Sequence, residues 1–304
     1  VRGALLRWLI SVNVFFFLFS IPPVWAETGK RYLLIGLIPE QNIFRQIDRY
    51  RPLADYLSVR LGIKVRLTIL SRYGDIIDRF SQRGMDGAFF GDLTGALAVE
   101  LLKVEPVARP VGLDGASSAK GVIIVRKDSG IRKPGDLKGK VFAFVDRATV
   151  SGYLFPLYYL RKAGFSNLKE VFSEYYFTGS HDSAVFAVLD GRADAGSLKD
   201  TVLNDLIRKD NTIADELMVL AESSPMPEGT FCLRTDLAPE VRRKIRELLL
   251  GMKKDHEGMK VLQEMGLSGF TPASRNDFAP VIGIMKEIGI GLKDYDYRTT
   301  LKER

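Results

Sequence analysis

Hydrophobic and polar positions alternate along this chain in a pattern that occurs twice. In the first half, YLLIGLIP (Tyr32 to Pro39) is an apolar run of strand length, and after a polar turn YRPLADYLSVRLG has helical spacing and stops at Gly62. The strand KVRLTIL, the helix DIIDRFSQRG ending at Gly84 and the strand DGAFFG follow. In the second half KVFAFV is a strand, RATVSG a turn, and LFPLYYLRKAG a helix closed by Gly164. The strand VFSEYYF, the helix DSAVFAVLDG ending at Gly191 and the strand ADAGSL complete it.

Strands that alternate with helices predict an α/β fold in which each half forms a mainly parallel sheet flanked by helices. In GMDGAFFGD and GRADAGSLKD a helix-ending Gly, an Asp and small residues recur in the same places, so the halves read as a duplicated lobe. Between them, KGVIIVRKDSGIRKPGDLKGK runs from an apolar strand into a Pro/Gly-rich turn, and SSPMPEGTFCLRTDL is a second Pro-rich turn leading into a strand. These two strands are the expected crossings at the hinge. Everything after Pro239 reads as helix, notably PEVRRKIRELLLGM and DFAPVIGIMKEIG. The expected division is lobe 1 over residues 30–122 and 228–304, with lobe 2, residues 123–227, inserted in it. Ligands of open α/β sheets bind outside the C-terminal ends of strands, which puts RATVSG at the cleft.

The first residues change the picture of location. Arg2 and Arg7 precede an apolar core from Trp8 to Ile21, and Val24 and Ala26 are the small residues of a cleavage site. Residues 1–26 are therefore read as a secretory signal peptide cleaved after Ala26, because the core falls short of the ~20 residues of a spanning helix and Pro22 and Pro23 break it. An uncleaved anchor is the rival reading. The expectation is an exported, periplasmic protein.

Charge and candidate chemistry narrow the function. The chain has 44 Lys and Arg against 37 Asp and Glu, and loss of Arg2 and Arg7 takes the formal charge from +7 to +5, a mild bias towards anions. No basic block with interleaved aromatics occurs, so nucleic acid is not an expected partner. His181 and His256 are the only histidines, Cys232 is the only cysteine, and HExxH, CxxC and GxSxG are absent. No catalytic residue, metal site or cofactor is expected, and Cys232 in TFCLR reads as core. Thr149, Ser151 and Gly152 stand where a strand hands over to a helix. They either cap it or hold a ligand anion on its free N–H groups.

The chain resembles the phosphonate/phosphite/phosphate ABC-transporter periplasmic substrate-binding proteins, which have the two-lobed type II periplasmic-binding-protein fold. The resemblance runs from about Leu34 to about Gly269 and rests on the order of GLIPEQN, YRPLADYLSVRLG, YGDIIDRF, DGAFFGDLTGALA, DLKGKVFAFVD, ATVSGYLFP, TGSHDSAVFAVLDGRADAGSLKD and SSPMPEGTFCLRTDL. It implies capture of a small oxyanion in the cleft by a monomer that serves an ABC permease, or that reports to a membrane sensor kinase. By position, Thr149, Val150, Ser151 and Gly152 match the family's Ser-Thr-Ser-Gly oxyanion turn, with Val150 replacing the middle hydroxyl. Ser180, His181 and Asp182 match its SHD segment, which implies that His181 donates to the anion and Asp182 caps the helix. Tyr73 matches a ligand tyrosine; a Tyr packed on the sheet is the alternative. Phe90, Gly91 and Asp92 are expected to close from the first lobe, with Asp92 either the N-cap of LTGALAVELL, the preferred reading, or a charge able to hold an amino group. Gly95 replaces a family aromatic and is expected to leave open space. Asp194 and Asp200 match acidic positions of the family segment, and Lys199 is expected to add charge near the cleft.

Overall fold

The computed structural model describes residues 32–227 and 229–299, so the expected signal peptide lies outside the described residues. Strand β1 (Tyr32–Leu37) leads to helix α1 (Ile43–Leu61), β2 (Lys64–Ile69), α2 (Asp75–Gln82) and β3 (Gly87–Phe90). Next come α3 (Asp92–Leu97), extended by a π-helical turn to Leu102, then β4 (Glu105–Gly112), the short β5 (Ser118–Ala119) and β6 (Gly121–Arg126). The second half follows with β7 (Val141–Phe144), a π-helical turn over Val150–Leu154 entering α4 (Phe155–Lys162), α5 (Leu168–Val171) and β8 (Glu174–Phe177). It ends with α6 (His181–Leu189), β9 (Ala195–Lys199), α7 (Asp200–Lys209), α8 (Thr212–Glu216) and β10 (Leu217–Glu222). The chain returns through β11 (Met226–Pro227) and β12 (Thr230–Leu233) to α9 (Pro239–Gly251), α10 (His256–Glu264), β13 (Leu267–Pro272) and α11 (Ala279–Glu287).

These strands form two sheets, ordered β13-β4-β12-β3-β1-β2 and β10-β6-β9-β7-β8, and β5 pairs with β11 in a two-stranded ladder where the chain crosses. The expected parallel pairing holds for β2-β1-β3 and for β8-β7-β9, the strands joined by helices. All other neighbours are antiparallel, so each sheet is mixed. The reason is connectivity: β6 and β12 arrive through the crossing ladder without a helix and run against both of their neighbours, β9 and β10 for β6 and β3 and β4 for β12.

The repeat has a physical basis at the foot of each sheet. Asp86, just before β3, accepts the Leu34 N–H of β1 at 2.9 Å, and Asp194, just before β9, accepts the Val141 N–H of β7 at 2.8 Å. Each Asp also donates its own N–H to the carbonyl of that same residue. The Asp common to GMDGAFFGD and GRADAGSLKD is therefore a clasp between neighbouring strands. Asp194 is a structural residue at the start of β9, away from the C-terminal end of that strand.

Two elements differ from the sequence expectation. Helix α1 begins at Ile43, well before YRPLADYL, because the Asn42 side chain accepts the N–H groups of Phe44 and Arg45. Pro52 then lies inside the helix rather than at its start. The stretch after Pro239 is not wholly helical: LSGFTP forms β13, whose strand character comes from its antiparallel ladder with β4. Cores of aromatic rings fill both lobes, with Phe89 against Tyr50 and Phe231 in the first and Phe142 against Phe144 and Phe172 in the second. Cys232 is fully buried in β12, and burial pushes its thiol up.

The C-terminal segment touches both lobes. The Tyr295 hydroxyl donates to the Arg147 carbonyl at 2.7 Å, and the Thr299 hydroxyl accepts the Arg147 N–H at 3.0 Å. On the first lobe, Tyr297 donates to Asp78 at 2.8 Å and Arg72 donates to the Thr299 carbonyl.

Candidate functional site

The turn after β7 is organised from within. Asp146 accepts the Ala148 N–H on its carboxylate, and its carbonyl accepts both the N–H and the hydroxyl of Thr149. Gly152 sits so close to Val145 that an added Cβ would fall 2.5 Å from the Val145 Cβ. Its role is close packing, which lets its carbonyl accept the Val145 N–H. The Thr149 hydroxyl donates to the Asp146 carbonyl of its own turn at 2.6 Å rather than into the cleft, which differs from the expectation for that residue. What the turn presents are the N–H groups of Val150 and Ser151 and the Ser151 hydroxyl, at the head of a helix whose dipole favours negative charge there.

An oxyanion already meets these donors, and it belongs to the protein. The Asp92 carboxylate crosses from the first lobe and accepts the Val150 N–H on Oδ1 and the Ser151 N–H and hydroxyl on Oδ2, all at 3.1 Å. Asp92 is only 4 % exposed. It is not the N-cap of its helix: Gly91 holds that position, with its N–H donated to the Thr94 hydroxyl at 2.8 Å, and Asp92 is the first helical residue. Phe90 packs against Phe80 in the core of the first lobe, where its part is structural. The space expected at Gly95 is filled, since an added Cβ would lie 2.5 Å from the Phe278 ring. An aromatic from a distant part of the chain stands there.

Ser180 caps α6, its hydroxyl accepting the Ser183 N–H and donating to Asp182 at 2.5 Å. Ser180 holds the N-cap position, and Asp182 shares the capping, its Oδ1 accepting the same Ser183 N–H at 2.9 Å. Its other oxygen accepts the Asn42 N–H from the first lobe at 3.2 Å. His181 is 1 % exposed, and its backbone N–H donates to the Glu40 carbonyl at 3.1 Å. Its Nδ1 accepts the Lys199 N–H at 3.2 Å, which leaves the ring proton of the neutral imidazole on Nε2. Burial and the neighbouring Lys199 charge push its pKa down to about 4, so the ring is neutral at physiological pH.

Tyr73 lies edge-on to His181, ring centroids 5.8 Å apart. It is 2 % exposed, and its hydroxyl has no hydrogen-bond partner among the described residues. Burial, then the charges of Glu40, Asp92, Asp146 and Asp182, raise its pKa. A buried hydroxyl without a partner is costly, and here it adjoins a cluster of polar groups from both lobes.

Glu40, in the turn after β1, is a site residue that sequence reasoning passed over. It forms a buried ion pair with Lys199 across the lobes, Nζ to Oε1 at 2.5 Å. Burial raises the Glu40 pKa, but Lys199 outweighs this and holds it below the usual value. The signal for Glu40 was the repeat itself, since its turn follows β1 as the Thr149 turn follows β7. Asp200 accepts the Lys120 N–H at 2.8 Å beside the crossing strands, so it serves the hinge. Next to Glu40 a cavity of about 140 Å³ opens between the lobes, lined by Arg49 and Tyr50 of α1, Ser118 of β5, and Asn204 and Arg208 of α7. No group of three or more metal-ligating side chains occurs among the described residues.

Comparison with known proteins places this geometry. The chain is 25% identical over 274 residues to the phosphonates-binding periplasmic protein of Escherichia coli, covering 88% of this chain and 80% of that protein. It is 27% identical over 233 residues to the phosphate-import protein PhnD of Mycolicibacterium smegmatis, covering 73% and 72%. Among solved structures, PhnD1 of Prochlorococcus marinus in complex with methylphosphonate superposes with a TM-score of 0.76 at 22% identity, covering 85% of this chain and 98% of that one. This likeness establishes the type II periplasmic-binding-protein fold expected from the sequence. Residues 35–278 match the family of phosphonate ABC-transporter periplasmic substrate-binding proteins, and the chain belongs to that family.

Proposed function

We propose that this protein captures a small tetrahedral oxyanion of the phosphonate, phosphite or phosphate class between its lobes and presents it to an ABC permease. The observation that carries the reading is the set of Val150 and Ser151 donors, which hold two oxygens of one carboxylate at 3.1 Å and so have the spacing of an oxyanion cradle. The Tyr73 hydroxyl and the Nε2 proton of His181 are the donors for a third oxygen. A neutral histidine suits this part, because it donates one hydrogen bond without fixing the charge of the ligand. The relatives that bind phosphonate, phosphate and methylphosphonate support the ligand class. The chain acts by binding rather than turnover and as a monomer, since one chain supplies both walls of the cleft.

Calorimetry of the chain lacking residues 1–26 against phosphite, phosphate, methylphosphonate and methanesulfonate tests this. Saturable binding of at least one phosphorus oxyanion is the expected result. Binding of none of them sinks the assignment.

A further inference from the structure

The Asp92 carboxylate stands in the place of a ligand. Within its own helix it accepts only the Leu93 N–H, and the capping work is done by Gly91 and Thr94. Its remaining bonds all cross the cleft to the donors of the oxyanion cradle. The Tyr73 hydroxyl, edge-on to His181 and within the field of Asp92, lacks a partner, which is what a planar, two-oxygen occupant leaves behind in a site with a further donor. An anion cannot simply be added to this arrangement. The buried Tyr73 hydroxyl already lies in the field of Glu40, Asp92, Asp146 and Asp182, and a second anion next to Asp92 in so dry a site meets strong repulsion.

We infer that Asp92 is the specificity-determining residue of the cleft, an internal counter-ligand on which the lobes close and which an incoming oxyanion must displace. The inference rests on the proposed oxyanion site and adds a rule of selection. A carboxylate ligand replaces the Asp92 carboxylate bond for bond and gains nothing. A tetrahedral anion also gains the Tyr73 hydroxyl and the His181 Nε2 proton through its third oxygen. The device therefore rejects carboxylates and selects tetrahedral anions at the cost of weaker overall affinity, because every ligand exchanges with bonds already made. Asp92 also accounts for how Val150 serves in place of a hydroxyl residue, since its N–H is the group that the carboxylate uses.

The test joins solution scattering with calorimetry on the wild type, Asp92→Ala and Asp92→Asn, with thermal melts to verify folding. Without ligand, the wild type is expected to have the same radius of gyration as with saturating methylphosphonate. Asp92→Ala is expected to expand without ligand, contract with methylphosphonate, bind it about tenfold more tightly and take up acetate, which the wild type refuses. Asp92→Asn, which keeps one acceptor oxygen, falls between them. Identical ligand-free scattering of wild type and Asp92→Ala overturns the inference, as does unchanged affinity for methylphosphonate. Expansion of Asp92→Ala with no binding of any oxyanion upholds the counter-ligand and overturns the proposed ligand class instead.

Discussion

The two walls of the cleft stand on the same scaffold and carry opposite chemistry. Strands β2-β1-β3 and β8-β7-β9 have the same order and the same Asp clasp, at Asp86 and Asp194. At the other end of these strands the likeness stops. The first lobe offers mostly acceptors: the Glu40 carbonyl and carboxylate and the Asp92 carboxylate. The second offers mostly donors: the Val150, Ser151 and His181 N–H groups, the Ser151 hydroxyl and the Lys199 ammonium. Asn42 and Asp182 are the exchange in the other sense. The lesson is that a repeated foundation fixes where the turns emerge, while the turn residues decide which wall an anion joins. An oxyanion belongs on the second wall, and the first wall must give up its hold on that wall before the anion can dock.

The strongest way to break the comparison is to remove the cation that joins the walls. Lys199→Met leaves Glu40 buried without its partner, and a loss of about 3–5 kcal/mol in unfolding free energy is expected. Adding Glu40→Gln to the same chain should restore most of it, as read by urea denaturation. If the single variant is as stable as the wild type, the pair does not hold the lobes.

Acid should weaken the same region. His181 binds its proton at about 4 in the folded protein against 6.5 in an exposed histidine, so the unfolded chain binds more protons between these values. By linkage, stability is complete above about 6.5 and falls as the pH drops towards about 4, by up to about 3 kcal/mol. Glu40, also lowered by folding, acts in the same direction at the acid end. Denaturation from pH 8 to pH 4 reads the slope, and His181→Gln should flatten its upper part.

Smaller effects sharpen the contrast. Gly152→Ala forces a methyl against Val145 and should cost about 1–3 kcal/mol while displacing the donors of the second wall, so methylphosphonate affinity falls with stability. The foundation, by contrast, should respond nearly alike in the two lobes. Asp86→Ala and Asp194→Ala each orphan one backbone N–H, and each should lose about 1 kcal/mol on thermal melting, with a smaller additional loss for Asp86→Ala from its ion pair with Arg234 at 3.7 Å. Clearly unequal losses would show that the clasps are not equivalent.

Much of the scaffold was legible from local pattern. The closing glycines of matched helices, Gly62 and Gly164, adopt φ of 71° and 88°, as a left-handed stop requires, and both Asp clasps fell within the stretches that revealed the repeat. What stayed hidden depends on partners far along the chain. LSGFTP is a strand only because β4 accepts it as a neighbour, and Phe278 fills the place at Gly95 from a distance that no local window spans. Asp92 is the sharpest case. Its position at a helix start reads as a cap by local rules, yet beyond the adjacent Leu93 N–H its hydrogen bonds reach residues 58 and 59 positions away. Glu40 needed the repeat to be used as a map, carrying the turn after β7 back onto the turn after β1.

The buried Cys232 has a practical consequence for reagents. As the chain's sole thiol, fully enclosed in β12 and with its ionisation suppressed by burial, it should ignore maleimide dyes while the protein is folded. Dye attachment at new cysteines, such as Val59→Cys on α1 and Phe186→Cys on α6, both exposed positions, then needs no cysteine-free background. The unaltered chain serves as its own unlabelled control, and the distance between lobes becomes readable by fluorescence in a single molecule.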